Sequence, residues 1–161
     1  MLPHIDAAYN LARWLMRNDE DAKDAVQEAY LRAYRFFEGF RGDNPRAWLL
    51  AVVRNTCFSL SGARAGAHYE EFDESSAEHD AAAGQTNGYE DPAAISQRAE
   101  DLAELNAAIE ALPLEFREVL VLRELEGFSY REIAQIIGAP IGTVMSRLAR
   151  ARALVKSALM R

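Results

Sequence analysis

A chain of 161 residues, half of them hydrophobic and 27% charged, has the balance of a soluble globular protein with one ordinary core or two small ones. It holds no apolar run near the roughly 18–20 residues that cross a bilayer, no basic-then-apolar leader, and one cysteine, Cys57, which excludes an internal disulfide and fits a reducing cytoplasm. The net charge of −7 lies in the middle: residues 1–62 carry eight basic and eight acidic groups and residues 98–161 nine of each, but 63–97 set Arg64 against eight acids. An acidic total of this kind leaves nucleic acid open as a partner of either end.

In chain order, Ile5, Ala8, Tyr9, Ala12 and Leu15 recur at helical spacing and predict a first helix. Asn18 and Asp19 interrupt it, and the acids that follow suit the start of a second helix, whose apolar stripe runs through Ala25, Val26, Ala29, Tyr30, Ala33 and Phe37. Gly39 and the turn-like RGDNP, Arg41 to Pro45, end that helix, and Pro45 is placed to begin a third that reaches about Leu60, with Cys57 in its core face. Residues 64–92 have scattered apolar groups, glycines and no stripe, so the pattern predicts a flexible acidic linker between domains at 1–63 and 93–161. Beyond it, helices are expected from Pro92 to Leu112, Pro113 to Leu125, Ser129 to Ile137 and Pro140 to about Leu159. Strand alternation is absent throughout, and the fold class is all-α.

The stretch FSYREIAQIIGAPIGTVMSRLARAR, Phe128 to Arg152, carries the most specific local signal. Ser129 and Glu132 form a capping box, Ile133, Ala134 and Ile137 an apolar stripe, Gly138 a tight turn, and Pro140 starts a helix with Ile141, Val144 and Leu148 inward. Small Ala134, turning Gly138 and β-branched Val144 have the spacing of a helix-turn-helix. Thr143, Ser146, Arg147 and Arg150 then project outward, where a recognition helix meets bases and phosphates. No acid follows Glu132, whereas an ordinary solvated face mixes both signs. A helical hairpin with a solvated basic face is the alternative.

In the first half, Asp24, Gln27, Glu28, Leu31 and Arg32 mix polar and apolar groups on one face suited to a protein partner. Phe36, Phe37, Phe40 and Trp48 lie near Arg41, Arg46 and Arg54, a combination that can stack unpaired bases and hold phosphates. Read without context, most of these aromatics belong to a core.

Together these segments resemble the extracytoplasmic-function group of bacterial RNA polymerase sigma factors over nearly the whole chain. AxDxVQExxLRAYR resembles the group's polymerase-docking segment, FRGDNPRAWLLAVVRN its promoter-melting segment, and ALPLEFREVLVLRELEGFSYREIAQIIGAPIGTVMSRLARAR its promoter-reading domain. The resemblance implies that Asp24, Gln27, Glu28, Leu31, Arg32 and Tyr34 meet the clamp helices of the core polymerase. It implies that the loop from Gly39 to Pro45, with Trp48, Arg54 and Asn55, grips the −10 element, where a base is extruded. Thr143, Met145, Ser146, Arg147 and Arg150 would face the −35 element in the major groove. The acidic linker would run towards the RNA exit path, and an anti-sigma partner would block polymerase docking. The group often carries a basic residue where Met145 stands, and is more basic just after Asn55.

No enzyme is expected. His4, His68 and His79 are scattered without metal-ligand spacing, no glycine-rich loop follows a strand, and neither metal nor cofactor is predicted. The competing readings are a stand-alone helix-turn-helix regulator and a sigma-like protein-interaction adaptor.

Overall fold

The structure, a computed structural model, describes residues 4–37, 44–65 and 91–160, and every regular element among them is helical. Helix α1 spans Ile5–Met16 and turns over at Arg17, whose left-handed φ of 61° brings its N–H to the Arg13 carbonyl. Asn18 then caps α2, Asp19–Phe36, accepting from the Glu20 and Asp21 amides at 2.9 and 3.1 Å. Three acids in that first turn face the positive end of the helix dipole. The buried face of α2 is Ala22, Ala25, Val26, Ala29 and Ala33, small side chains that let α1 and α3 close on it.

Two details of the expected stripes shift. The α1 core face is Ala7, Ala8, Leu11, Ala12 and Leu15, so Ile5 is exposed and Tyr9 only partly buried. Phe37 falls just past the end of α2 and is half exposed instead of completing its stripe. Helix α3 runs Pro45–Ala65, beyond the expected Leu60 and through Gly62, and buries Ala47, Leu50, Val53 and Cys57. Burial pushes the Cys57 thiol up to about 12, which makes it the inert core group its context predicted. Most of the expected linker, residues 66–90, lies outside the described residues, as do residues 39–43 of the Gly39–Pro45 loop, Phe40 and Arg41 among them.

Helix α4, Pro92–Glu110, is capped by the Asp91 carboxylate, and its residues 92–104 are all exposed. Only its end, Ala108 and Ile109, enters the core. The single helix expected from Pro113 to Leu125 is α5, Leu114–Leu120, followed by one π turn, Val121–Leu125. The wider turn sends the Glu126 N–H back to the Val121 carbonyl at 3.1 Å and delivers the chain to Gly127, φ 73°.

Helices α6, Tyr130–Ile137, and α7, Ile141–Leu159, form the helix-turn-helix. The capping box is complete: the Ser129 hydroxyl accepts from the Glu132 amide at 3.1 Å and the Glu132 carboxylate accepts from the Ser129 amide at 2.9 Å. Gly138 takes the left-handed conformation, φ 69°, that ends α6. Ile133, Ile136, Val144 and Leu148 lock the crossing, whereas Ile141, expected inside, is 39% exposed because it sits on the first turn of α7 beyond that crossing.

The two halves are packed together, which the charge and stripe patterns did not predict. Helix α3 lies along α6 and α1 lies against α5, and the buried apolar residues of both halves form one continuous cluster. No described helix is long and apolar enough to cross a membrane.

Candidate nucleic-acid interface

On α7, Thr143, Ser146, Arg147 and Arg150 recur every three or four residues and share one side, opposite the buried Val144 and Leu148. Ser146 and Arg150 are exposed, Thr143 and Arg147 half-buried, and the Ser146 hydroxyl donates to the Thr143 carbonyl at 3.1 Å. The Arg150 guanidinium lies 5.7 Å from the Phe116 ring, which steadies a cation that remains open to solvent. Met145 is 52% exposed but, at about 100° per residue, stands on a different side of α7 from that row. Not every cation of this helix is available: Arg152 pairs with Glu124 at 2.6 Å.

On α3, Trp48 and Asn55 are seven residues apart and therefore on one face, with Arg54 beside them. Trp48 is partly buried and meets the Phe37 ring edge-on, centroids 6.3 Å apart. Phe36 is 67% and Phe37 49% exposed. The reading of these aromatics as core residues is thus corrected for Phe36 and Phe37: the small side chains of α2 already close the bundle, which leaves two large rings on the surface at the end of α2. Asn55 is exposed. Arg54 is engaged: its Nε and Nη2 donate to the Glu118 carboxylate at 2.7 and 3.2 Å, its Nη1 reaches Asn55 at 3.4 Å, and it covers the Phe58 ring at 4.3 Å.

Glu118 is the residue that sequence reasoning missed. It comes from α5, is 1% exposed, and lines a small cavity of about 220 Å³ with Arg54, Phe58, Leu114, Glu115 and Arg147. Burial pushes its carboxyl up, against the hydrogen-bonded Arg54 and the nearby Arg147 charge. Asn44 also escaped notice, and Arg46, read as an arginine for phosphates, is engaged within the fold. Asn44 accepts from the Ala47 amide as a helix cap and donates to Glu132 at 2.7 Å, while Arg46 donates to the Glu126 carbonyl at 2.9 Å and stacks 4.0 Å over Phe128. Asn44 precedes Pro45, so a capping role was readable; its partner 88 residues away was not.

On α2, Asp24, Gln27, Leu31 and Tyr34 are exposed, with Leu31 at 52% and Tyr34 at 77%. Glu28 and Arg32 are half-buried and pair at 3.3 Å along the helix. Gln27, Leu31 and Tyr34, with Ile5, Val26 and Tyr30, line a predominantly apolar groove of about 810 Å³ between α1 and α2. An exposed apolar groove with a polar rim is the chemistry of a protein-docking face. Among the described residues no group of His, Cys, Asp and Glu is arranged to hold a metal.

This order of elements has known counterparts. Residues 2–62 match sigma-70 region 2, and residues 102–155 match sigma-70, region 4. The RNA polymerase sigma-H factor of Pseudomonas aeruginosa is 36% identical over 143 residues, covering 87% of this chain and 74% of that protein. The ECF RNA polymerase sigma-E factor of Escherichia coli is 37% identical over 136 residues, 82% of this chain and 70% of that one. ECF RNA polymerase sigma factor SigE of Mycolicibacterium smegmatis is 32% identical over 149 residues, and there the chain spans 56% of its relative. In three dimensions the chain matches the sigma factor RpoE from Bartonella quintana, solved with the anti-sigma factor NepR, at a TM-score of 0.76 and 30% identity, covering 99% of this chain and 93% of that one. CnrH, solved with the cytosolic domain of CnrY, matches at 0.67 and 26% identity over 98% and 83% of the two chains. With region 2 carrying the α3 aromatic–arginine set, region 4 carrying the helix-turn-helix, and these relatives on either side, the chain belongs to the ECF sigma factors of bacterial RNA polymerase.

Proposed function

We propose that the chain binds core RNA polymerase and directs promoter-specific initiation, with residues 1–63 as the polymerase-docking and −10-melting unit and residues 93–161 as the −35-reading unit. The observation that carries this reading is the coexistence, in one chain, of a solvent-facing Thr/Ser/Arg side on α7 and an aromatic–arginine–asparagine set on α3. The first suits the edges and phosphates of duplex DNA, the second suits unpaired bases. In this reading Thr143, Ser146, Arg147 and Arg150 face the −35 element, with Met145 on another exposed side of the same helix, and Trp48, Arg54 and Asn55 act at the −10 element. The α2 side formed by Asp24, Gln27, Glu28, Leu31, Arg32 and Tyr34 docks on the clamp helices.

A stand-alone helix-turn-helix regulator leaves the exposed Leu31 and Tyr34 side without a purpose. The reading assigns no catalysis to the chain itself, puts it in the cytoplasm with the polymerase, and supplies an anti-sigma factor as a partner competing for the docking side, since the solved relative RpoE carries one. The test is run-off transcription: core polymerase plus this chain should start at discrete sites on genomic templates where core alone does not. Failure to co-elute with core, or unchanged transcript patterns, would overturn the proposal.

A further inference from the structure

We propose that Glu124 is a positioning residue for −35 reading: it holds Arg152 back from the DNA backbone and so limits how many phosphates the recognition helix grips. This role deepens the promoter reading and rests on it. At about 100° per residue, α7 has two flanks beside its buried side of Val144, Leu148, Ala151 and Val155. Thr143, Arg147 and Arg150 lean to one flank, and Met145, Arg152 and Lys156 occupy the other. A helix about 10–12 Å across fills a major groove about 12 Å wide, so a phosphate backbone stands along each flank. Among the described residues of α7, Arg152 and Lys156 are the cations placed for the second backbone.

The first of these two is already committed. The Arg152 Nε and Nη2 both donate to one Glu124 carboxylate oxygen, at 2.9 and 2.6 Å. Both side chains are 48% exposed, so the pair lies at the surface and its removal leaves the core intact. The acid is fixed to the body of the domain. It sits in the π turn Val121–Leu125 beside Arg123, which donates to the Phe128 carbonyl at 2.9 Å and lies 4.7 Å over the Tyr130 ring. Glu124 therefore cannot travel with Arg152 towards a phosphate, and a guanidinium that turned to DNA would have to leave two charge-assisted hydrogen bonds. Arg150, by contrast, rests 5.7 Å from the Phe116 ring, a contact that leaves its N–H groups for phosphate. The helix thus offers fewer backbone contacts than its arginine content implies, which leaves recognition more dependent on bases.

The test uses holoenzyme, assembled from core polymerase and the full chain, titrated at five salt concentrations on a promoter returned by run-off transcription. Arg152→Ala should leave the slope of log affinity against log salt unchanged. Glu124→Ala removes the acceptor, frees Arg152, and should steepen that slope by about 0.9, about a 3.5-fold greater loss of affinity over a fourfold rise in salt. The double variant should return to the unaltered slope. A slope that stays steep without Arg152 would trace the effect to the Glu124 charge itself and overturn the proposal. A shallower slope for Arg152→Ala, or an unchanged one for Glu124→Ala, would overturn it as well. A pair with a merely structural role would move the unfolding midpoint and leave every slope alone. Should Glu124→Ala fail to fold, Arg152→Ala decides by itself. The promoter reading fails separately, when the unaltered chain neither co-elutes with core nor initiates.

Discussion

Replacing Arg147 with alanine tests the −35 surface most sharply. The helix itself should survive, because Val144 and Leu148 anchor α7 from the opposite side and alanine is the best helix former. Arg147 is half-buried and makes no direct hydrogen bond among those found around the cavity, so the cost to folding should stay near 0.5 kcal/mol. Its loss on DNA depends on what it touches. A bidentate contact to a guanine edge is worth about 1–3 kcal/mol, or about 5- to 150-fold in promoter affinity, and its loss should relax preference at one base pair. A phosphate contact would weaken all sequences alike and reduce the slope of log affinity against log salt by about 0.9. Holoenzyme titrations on a cognate promoter at four or five salt concentrations separate the two, with core binding measured alongside. The account fails if core affinity falls in parallel, or if promoter affinity is unchanged at every salt concentration.

Leu31→Asp on the exposed side of α2 should abolish co-elution with core polymerase while moving the unfolding midpoint little, since the side chain is 52% exposed. A fully folded variant that still co-elutes would remove α2 from the docking surface. Ile133→Ala should cost about 2–5 kcal/mol in denaturant unfolding because the residue is fully buried, whereas the same change at exposed Ile141 should cost far less; equal costs would contradict the described crossing. Glu132 is held below its ordinary 4.5 by the Ser129 amide hydrogen bond and then by Asn44. A depressed carboxyl contributes stability that is present above 4.5 and lost as pH falls through its lowered value. Glu132→Gln, which keeps a capping acceptor, should flatten that loss in acid melting curves, and an identical acid profile would refute it.

Much of this was legible before any coordinates. The capping box at Ser129, the Gly138 turn and the inward Val144 and Leu148 are local features whose chemistry is complete within a few residues, and all appear as expected. The failures have a common cause in longer range. Phe36 and Phe37 looked like core because large rings usually fill small domains, yet the alanines of α2 close the bundle without them. Ile141 fits the stripe by spacing but lies one turn beyond the helix crossing. Glu118, on a short helix that also carries Glu115 and Arg117, shows no sign that its partner is 64 residues upstream. The Pro113–Leu125 stretch reads as one helix because a π turn changes the hydrogen-bond register without changing composition.

The central claim is that two separate surfaces of one chain engage DNA together only when polymerase holds them apart. Footprinting on a promoter, with permanganate to mark unpaired thymines, tests it directly. The holoenzyme should protect two windows centred about 25 base pairs, or about 85 Å, apart, with reactive thymines in the downstream window, and the free chain should protect neither at the same concentration. A single protected window, or equal protection by the free chain, would contradict the account.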